Sequence, residues 1–137
     1  LDGEREIDIR EHPPLALAFM GDGVYERRVR RLLVTHTRLA PSRLHSEAVK
    51  YVSAKAQFVF LQALLPLLTE QEQAVVRRGK NASKATVAKH ATPEEYRAST
   101  ALEALFGWLY LQNRFDRIEE LFAVIVKTRM EQEQTAE

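Results

Sequence analysis

Two acids stand in stretches that otherwise read as core-forming helix. Asp22 lies in Leu15-Ala16-Leu17-Ala18-Phe19-Met20-Gly21-Asp22-Gly23-Val24-Tyr25-Glu26, and Glu103 in Ser99-Thr100-Ala101-Leu102-Glu103-Ala104-Leu105-Phe106-Gly107-Trp108-Leu109-Tyr110-Leu111. An unpaired carboxylate in such surroundings costs several kcal/mol or gives up its charge. The cost falls if the two acids share a cation. Hard divalent ions such as Mg2+ take oxygen ligands, and carboxylates plus substrate phosphate oxygens complete such a site. The ion then polarises a phosphoryl group and can activate water as the nucleophile. Glu26 follows Asp22 by one helical turn and could join directly or through water. Capping of helices or pairing with arginine is the other use of these carboxylates, and the residues alone leave both open.

The two acids converge only if the helices carrying them pack together. Gly21 adjoins Asp22, and Gly107 lies one turn after Glu103. A glycine inside a helix costs about 1 kcal/mol against alanine. Its use at both places predicts close backbone approach, or room for a ligand. Pro13-Pro14 opens the first helix, which should run to about Thr35 with Leu15, Ala18, Phe19, Val29, Leu32 and Leu33 on one stripe, and with Asp22 and Glu26 on that same stripe. Pro41-Ser42 opens a second helix, and Ser53 caps or bends the chain into a third that Pro66 interrupts. Thr69-Glu70-Gln71-Glu72 has the capping-box form, and Gly79 is the expected stop of the short helix that follows.

Residues 80–92 read as an exposed basic loop. Thr92-Pro93-Glu94-Glu95 is a helix start, and that helix should reach about Gln112. A last helix covers Phe115 to about Met130, with a fraying tail beyond it. No segment alternates like a strand, and no interior linker divides the chain. The expectation is one all-α domain over residues 1–137, a bundle of about six helices with its core at about 14–130.

The 137 residues include 45% hydrophobic and 28% charged side chains, enough for a real core under a solvated surface. Cysteine is absent, which excludes disulfides, thiol catalysis and cysteine-ligated metals and fits a reducing cytoplasm. No apolar run approaches the roughly 20 residues of a membrane span, and the acidic amino end is unlike a signal peptide. The four histidines are scattered without metal-ligand spacing, and there is no Walker loop or Gly-x-Ser-x-Gly elbow. Net charge is only +1, yet Arg77, Arg78, Lys80, Lys84 and Lys89 cluster in a stretch free of acids. Such a stretch is a solvated segment or a polyanion-facing surface. Phe106 to Leu111 is apolar nearly all round, which points to a partner surface there.

Phe19-Met20-Gly21-Asp22-Gly23-Val24-Tyr25-Glu26 resembles the Gly-Asp signature of the ribonuclease III catalytic domain, and Glu103-Ala104-Leu105-Phe106-Gly107 resembles that family's second acidic motif. The nearer likeness is to the Mini-ribonuclease III branch, which lacks a separate double-stranded-RNA-binding domain. Leu44-His45, Val52-Ser53-Ala54-Lys55 with Gln57, Arg78-Gly79-Lys80-Asn81-Ala82 and Tyr96-Arg97 followed by Ser99-Thr100 add to it, over roughly residues 14–123. Where the long signature has two glutamates this chain has Ala18 and Leu15, and Thr100 stands where an aspartate is expected. That reduced acid set resembles the Mini branch.

The resemblance implies a ribonuclease III-like helical fold and a homodimer cutting both strands of an RNA duplex, with 5′-phosphate and 3′-hydroxyl ends. It implies Asp22 and Glu103 as catalytic metal ligands, with Glu26 as a further candidate, and Mg2+ or a substituting Mn2+ as cofactor. The implied substrate is the duplex stem of precursor 23S ribosomal RNA. Arg77, Arg78, Lys80, Asn81 and Lys84 would hold the duplex, with Lys55 and Arg97 as lesser candidates. The alternative is a non-catalytic RNA-binding or ribosome-assembly protein that keeps the fold.

Overall fold

A computed structural model describes residues 8–84 and 90–136. Among these residues the chain forms six α-helices: α1 (Pro14–His36), α2 (Pro41–Val52), α3 (Ala54–Leu64), α4 (Glu70–Ala82), α5 (Pro93–Leu111) and α6 (Phe115–Ala136). Single turns of 3-10 helix at Ile9–Glu11 and Leu65–Leu67 complete the order. No strand occurs among the described residues, so the all-α expectation holds.

The starts follow local chemistry. Proline stands in the first turn of α1, α2 and α5, where its missing N–H is no loss. Ser53 accepts from the Ala56 N–H at 3.1 Å and opens α3 directly after α2. Thr69 with Glu72, and Thr92 with Glu95, form reciprocal capping boxes at α4 and α5.

α5 is the axis of the fold. It packs against α1, α3, α4 and α6, and buries Ala98 through Leu102, Ala104 through Gly107, and Leu109. This explains why Phe106 to Leu111 is apolar nearly all round. Phe106 and Leu109 are fully buried inside their own chain, so in that stretch only Trp108, Tyr110 and Leu111 keep exposure where a partner could meet it.

The inner face of α1 also differs from the expected stripe. Its buried row is Leu17, Gly21, Tyr25, Val29 and Leu33, one residue every fourth position, with Ala18 beside it. Leu15 and Phe19 point away from the core and are 47% and 86% exposed. A row of every fourth residue is the ridge that packs across a second helix. Here that helix is α5, and the ridge passes over it at Gly21. Tyr25, one turn on, packs edge-on against Phe106 with ring centroids 5.3 Å apart and donates its hydroxyl to the Tyr51 carbonyl at 2.8 Å.

Three further expectations change. Gly79 does not end a helix: α4 continues to Ala82. A methyl on Gly79 would come within 2.9 Å of the Ala101 Cα and 3.3 Å of the Ala104 Cβ, so this glycine serves a close helix–helix contact. Lys80 and Asn81 therefore belong to the last turn of α4, not to a loop. α6 extends to Ala136, past the expected end near Met130. Residues 85–89, including Lys89, lie outside the described residues. None of the described helices is long and apolar enough to cross a membrane.

Candidate active site

Asp22 and Glu103 meet where α1 crosses α5. The crossing has no room for side chains between the two backbones. A methyl on Gly21 would overlap the Glu103 carbonyl oxygen and lie 2.7 Å from the Gly107 nitrogen. A methyl on Gly107 would in turn overlap the Leu17 carbonyl oxygen and lie 2.9 Å from the Gly21 nitrogen. The glycine pair seen in the sequence is thus a reciprocal backbone contact, and it brings the helices together next to both acids. Gly23 is different: a Cβ there would meet nothing within 4 Å.

The two acids differ in setting. Asp22 is at the surface, contrary to its apolar sequence context, because the buried row of α1 runs through Gly21 and Tyr25 instead. Glu103 is partly buried. Burial pushes the Glu103 carboxyl up, the neighbouring charge of Asp22 pushes it further, and the Gln57 amide pulls it back; the outcome is about 8. Below that value Glu103 holds its proton. A cation placed between the two carboxyls would displace it and satisfy both charges.

Glu26 also raises the Glu103 carboxyl through its charge, but it is the most weakly felt of these neighbours. Its own carboxylate accepts from Arg30 Nη2 at 2.9 Å. Among the described residues no three His, Cys, Asp or Glu side chains cluster as a complete protein ligand set. The donor set is therefore a pair of hard oxygen ligands, open to solvent on the Asp22 side. This suits a divalent ion that keeps several waters and takes the rest of its ligands from a phosphate.

Thr100, in the place of the expected aspartate, is buried and turned inward. Its hydroxyl donates to the Tyr96 carbonyl at 3.1 Å and lies 3.3 Å from the Ser83 hydroxyl. Leu15 and Ala18 offer no donor, so the reduced acid set is real.

The basic candidates are not drawn into one contact. Arg77, Arg78, Asn81 and Lys84 are exposed, and Lys80 is partly so. Gly79 rests on Ala101 and Ala104, which places this end of α4 beside the part of α5 that carries Glu103. Lys55 on α3 and Arg97 on α5 are exposed as well.

Two placements differ from what the residues alone suggest. Gln57 lies almost fully buried against Glu103. A polar residue recurring on the otherwise apolar inner face of α3, with Phe60, Leu61 and Leu64, was its signal. Phe19, expected on the inner stripe, is outside because α5 meets the row that contains Leu17 and Gly21.

The ribonuclease III domain family matches residues 15–114. The Mini-ribonuclease 3 of Symbiobacterium thermophilum is 49% identical over 109 residues, 80% of this chain and 84% of that protein. The Mini-ribonuclease 3 of Staphylococcus aureus is 38% identical over 92% of this chain and 96% of its own. A crystal structure of a Fusobacterium nucleatum protein superposes with a TM-score of 0.80 at 28% identity, over 89% of this chain and 98% of that one. With the opposed acids at the glycine crossing, these likenesses establish that the chain belongs to the ribonuclease III family, in its Mini-ribonuclease 3 branch, and is an endoribonuclease.

Proposed function

We propose that this endoribonuclease hydrolyses double-stranded RNA at Asp22 and Glu103 with one or more divalent cations, Mg2+ or Mn2+, held between them. The observation that carries the reading is the opposition of the two carboxyls, with Glu103 pushed up to about 8 by burial and by the charge of Asp22. When bound, the cation supplies positive charge to the phosphoryl oxygens and acidifies water at neutral pH. Asp22, at the surface, presents its carboxylate toward substrate. Glu103, held by α5, fixes the inner side of the site. Glu26 holds Arg30 through one oxygen, Oε1, and is the most weakly felt of the neighbours named for Glu103, so its part is that of an outer ligand through water. The products are 5′-phosphate and 3′-hydroxyl ends.

A-form RNA is held through its shape, phosphates and 2′-hydroxyls across the wide minor groove. Arg77, Arg78, Lys80, Asn81 and Lys84 at the end of α4 suit phosphate contacts next to the acids, with Lys55 and Arg97 in lesser roles. The branch likeness favours the stem of precursor 23S ribosomal RNA as substrate, met in the cytoplasm.

Cutting both strands calls for two sites, hence a homodimer. The surface of α1 supports this: Phe19 is 86% exposed, and a separate groove is lined by Met20, Val24, Tyr110 and Phe115 together with Arg27, Arg28, Arg31 and Glu119. A twofold axis would set the same patch of each copy against the other.

Asp22→Asn is the test of the assignment. Loss of several kcal/mol of charge stabilisation corresponds to a fall of about 10³-fold in duplex cleavage. Folding and duplex binding should be retained in a gel-shift assay. Wild-type cleavage by Asp22→Asn in Mg2+ would remove Asp22 from the site.

A further inference from the structure

The end of α4 is fastened to α5 by two buried hydroxyls. Ser83, just past α4, is 8% exposed, and Thr100 on α5 is 7% exposed. Their hydroxyl oxygens lie 3.3 Å apart. Thr100 Oγ1 also donates to the Tyr96 carbonyl at 3.1 Å. A carbonyl only accepts and a hydroxyl has a single hydrogen, so the hydrogen between the pair is that of Ser83. The Ser83 backbone N–H donates to the Gly79 carbonyl at 3.1 Å and closes the last turn of α4.

Packing does not call for these hydroxyls. Gly79, one turn earlier, already seats α4 on Ala101 and Ala104. α5 has its own start in the capping box of Thr92 and Glu95. Valine at 100 and alanine at 83 would fill nearly the same space without burying a polar atom. What the hydroxyls add is direction, because an apolar contact tolerates sliding and rotation whereas a hydrogen bond sets one atom against another. Lys84 follows Ser83 directly and is exposed. Thr100 stands one turn before Glu103 on α5. The pair therefore sets where the chain leaving α4, and Lys84 with it, lies along the helix that carries Glu103.

We propose that Ser83 and Thr100 are positioning residues for the RNA duplex: their buried hydroxyl pair pins the end of α4 to α5 so that Lys84 meets a backbone phosphate beside the acid pair. The inference rests on the reading of Lys84 as a duplex contact given above. Neither hydroxyl touches RNA. Thr100, in the place of an expected aspartate, thus acts through the basic end of α4.

The test is Thr100→Val in the full chain, which keeps the shape of the side chain and removes its hydroxyl. Duplex affinity is measured by gel shift in chelator, so that the RNA is not cut, over a range of salt concentrations. Expected is a folded protein whose affinity falls about fivefold and whose slope of log affinity against log salt is shallower by about 0.9, the share of one phosphate contact. Lys84→Ala should have the same effect, and the double variant should bind no more weakly than Lys84→Ala alone. Thr100→Ser, which keeps the hydroxyl, should restore affinity and slope. Ser83→Ala should reproduce Thr100→Val, and takes its place should Thr100→Val fail to fold. Wild-type affinity and slope in the folded variant, or losses that add in full in the double variant, overturn the proposal. Wild-type binding by Lys84→Ala refutes the duplex-contact reading beneath it, a result distinct from a Lys84→Ala that binds weakly and a Thr100→Val that does not.

Discussion

Two acids, Glu72 on α4 and Glu103 on α5, are both withdrawn from solvent and are treated in opposite ways. Glu72 is 0% exposed yet fully served. It accepts from the Thr69 N–H at 2.9 Å and from Arg117 at 2.9 and 2.8 Å. Burial pushes its carboxyl up, but the Arg117 guanidinium and the cap bond outweigh this and hold it below the usual glutamate value. Glu103 is less deeply buried and faces another acid, so burial and Asp22 push in the same direction, to about 8. Depth of burial therefore does not single out the acid proposed as a metal ligand; the charge of its neighbours does. The chain pairs the carboxylate that ties α4 to α6 with a guanidinium, and sets Glu103 against a second acid instead.

Removing Glu72's partner should have the largest effect on stability. Arg117→Met strands a buried carboxylate and should destabilise the fold by about 3–5 kcal/mol, measured by chemical denaturation. A loss under 1 kcal/mol would mean that Glu72 is protonated or rehydrated in the folded state, and the contrast with Glu103 would fade. Gly21→Ala comes next. The added methyl overlaps the Glu103 backbone, so α1 must shift away from α5 at a cost of about 3 kcal/mol. In protein that remains folded, the shift separates Asp22 from Glu103 and should lower cleavage more than duplex binding. Unchanged stability would deny the backbone contact.

The pH dependence is the subtlest of these effects. Glu103 ionises near 4.5 as an ordinary glutamate and near 8 in the fold, so between these values the folded state holds the extra proton. Stability is then favoured below about 4.5 and falls as pH rises through 8. After discounting for partial exposure this amounts to about 1–3 kcal/mol. In chelator, wild-type Tm should decline from pH 5 to 8 relative to Glu103→Gln, and the variant should be the more stable at pH 8. Mg2+ should raise the wild-type Tm more at pH 8 than at pH 5. Parallel Tm curves for the two proteins would place Glu103 in an ordinary environment.

The sequence carried what depends on short-range chemistry. Capping boxes at Thr69 and Thr92, prolines in first turns and the break at Pro66 lie within a few residues of the structure they dictate. The glycines at 21 and 107 announced a close crossing because nothing else justifies them within helices. Facing direction was harder to read. On α1 the pairs Leu15/Phe19 and Leu17/Gly21 have the same spacing, and only the position of α5 determines which is inside. Gly79 has the composition of a helix stop, yet its role comes from Ala101 and Ala104, which are more than 20 residues away. The pairing of Arg117 with Glu72 was illegible for the same reason: the two lie 45 residues apart in sequence.

The most direct test of a shared cation site is calorimetric titration of Mn2+ into wild-type, Asp22→Asn and Glu103→Gln proteins at pH 8. Expected is saturable binding by the wild type that weakens at least tenfold in each variant, with protons released on binding. Equal affinity in all three proteins would contradict the assignment of Asp22 and Glu103 as the ligands of one site.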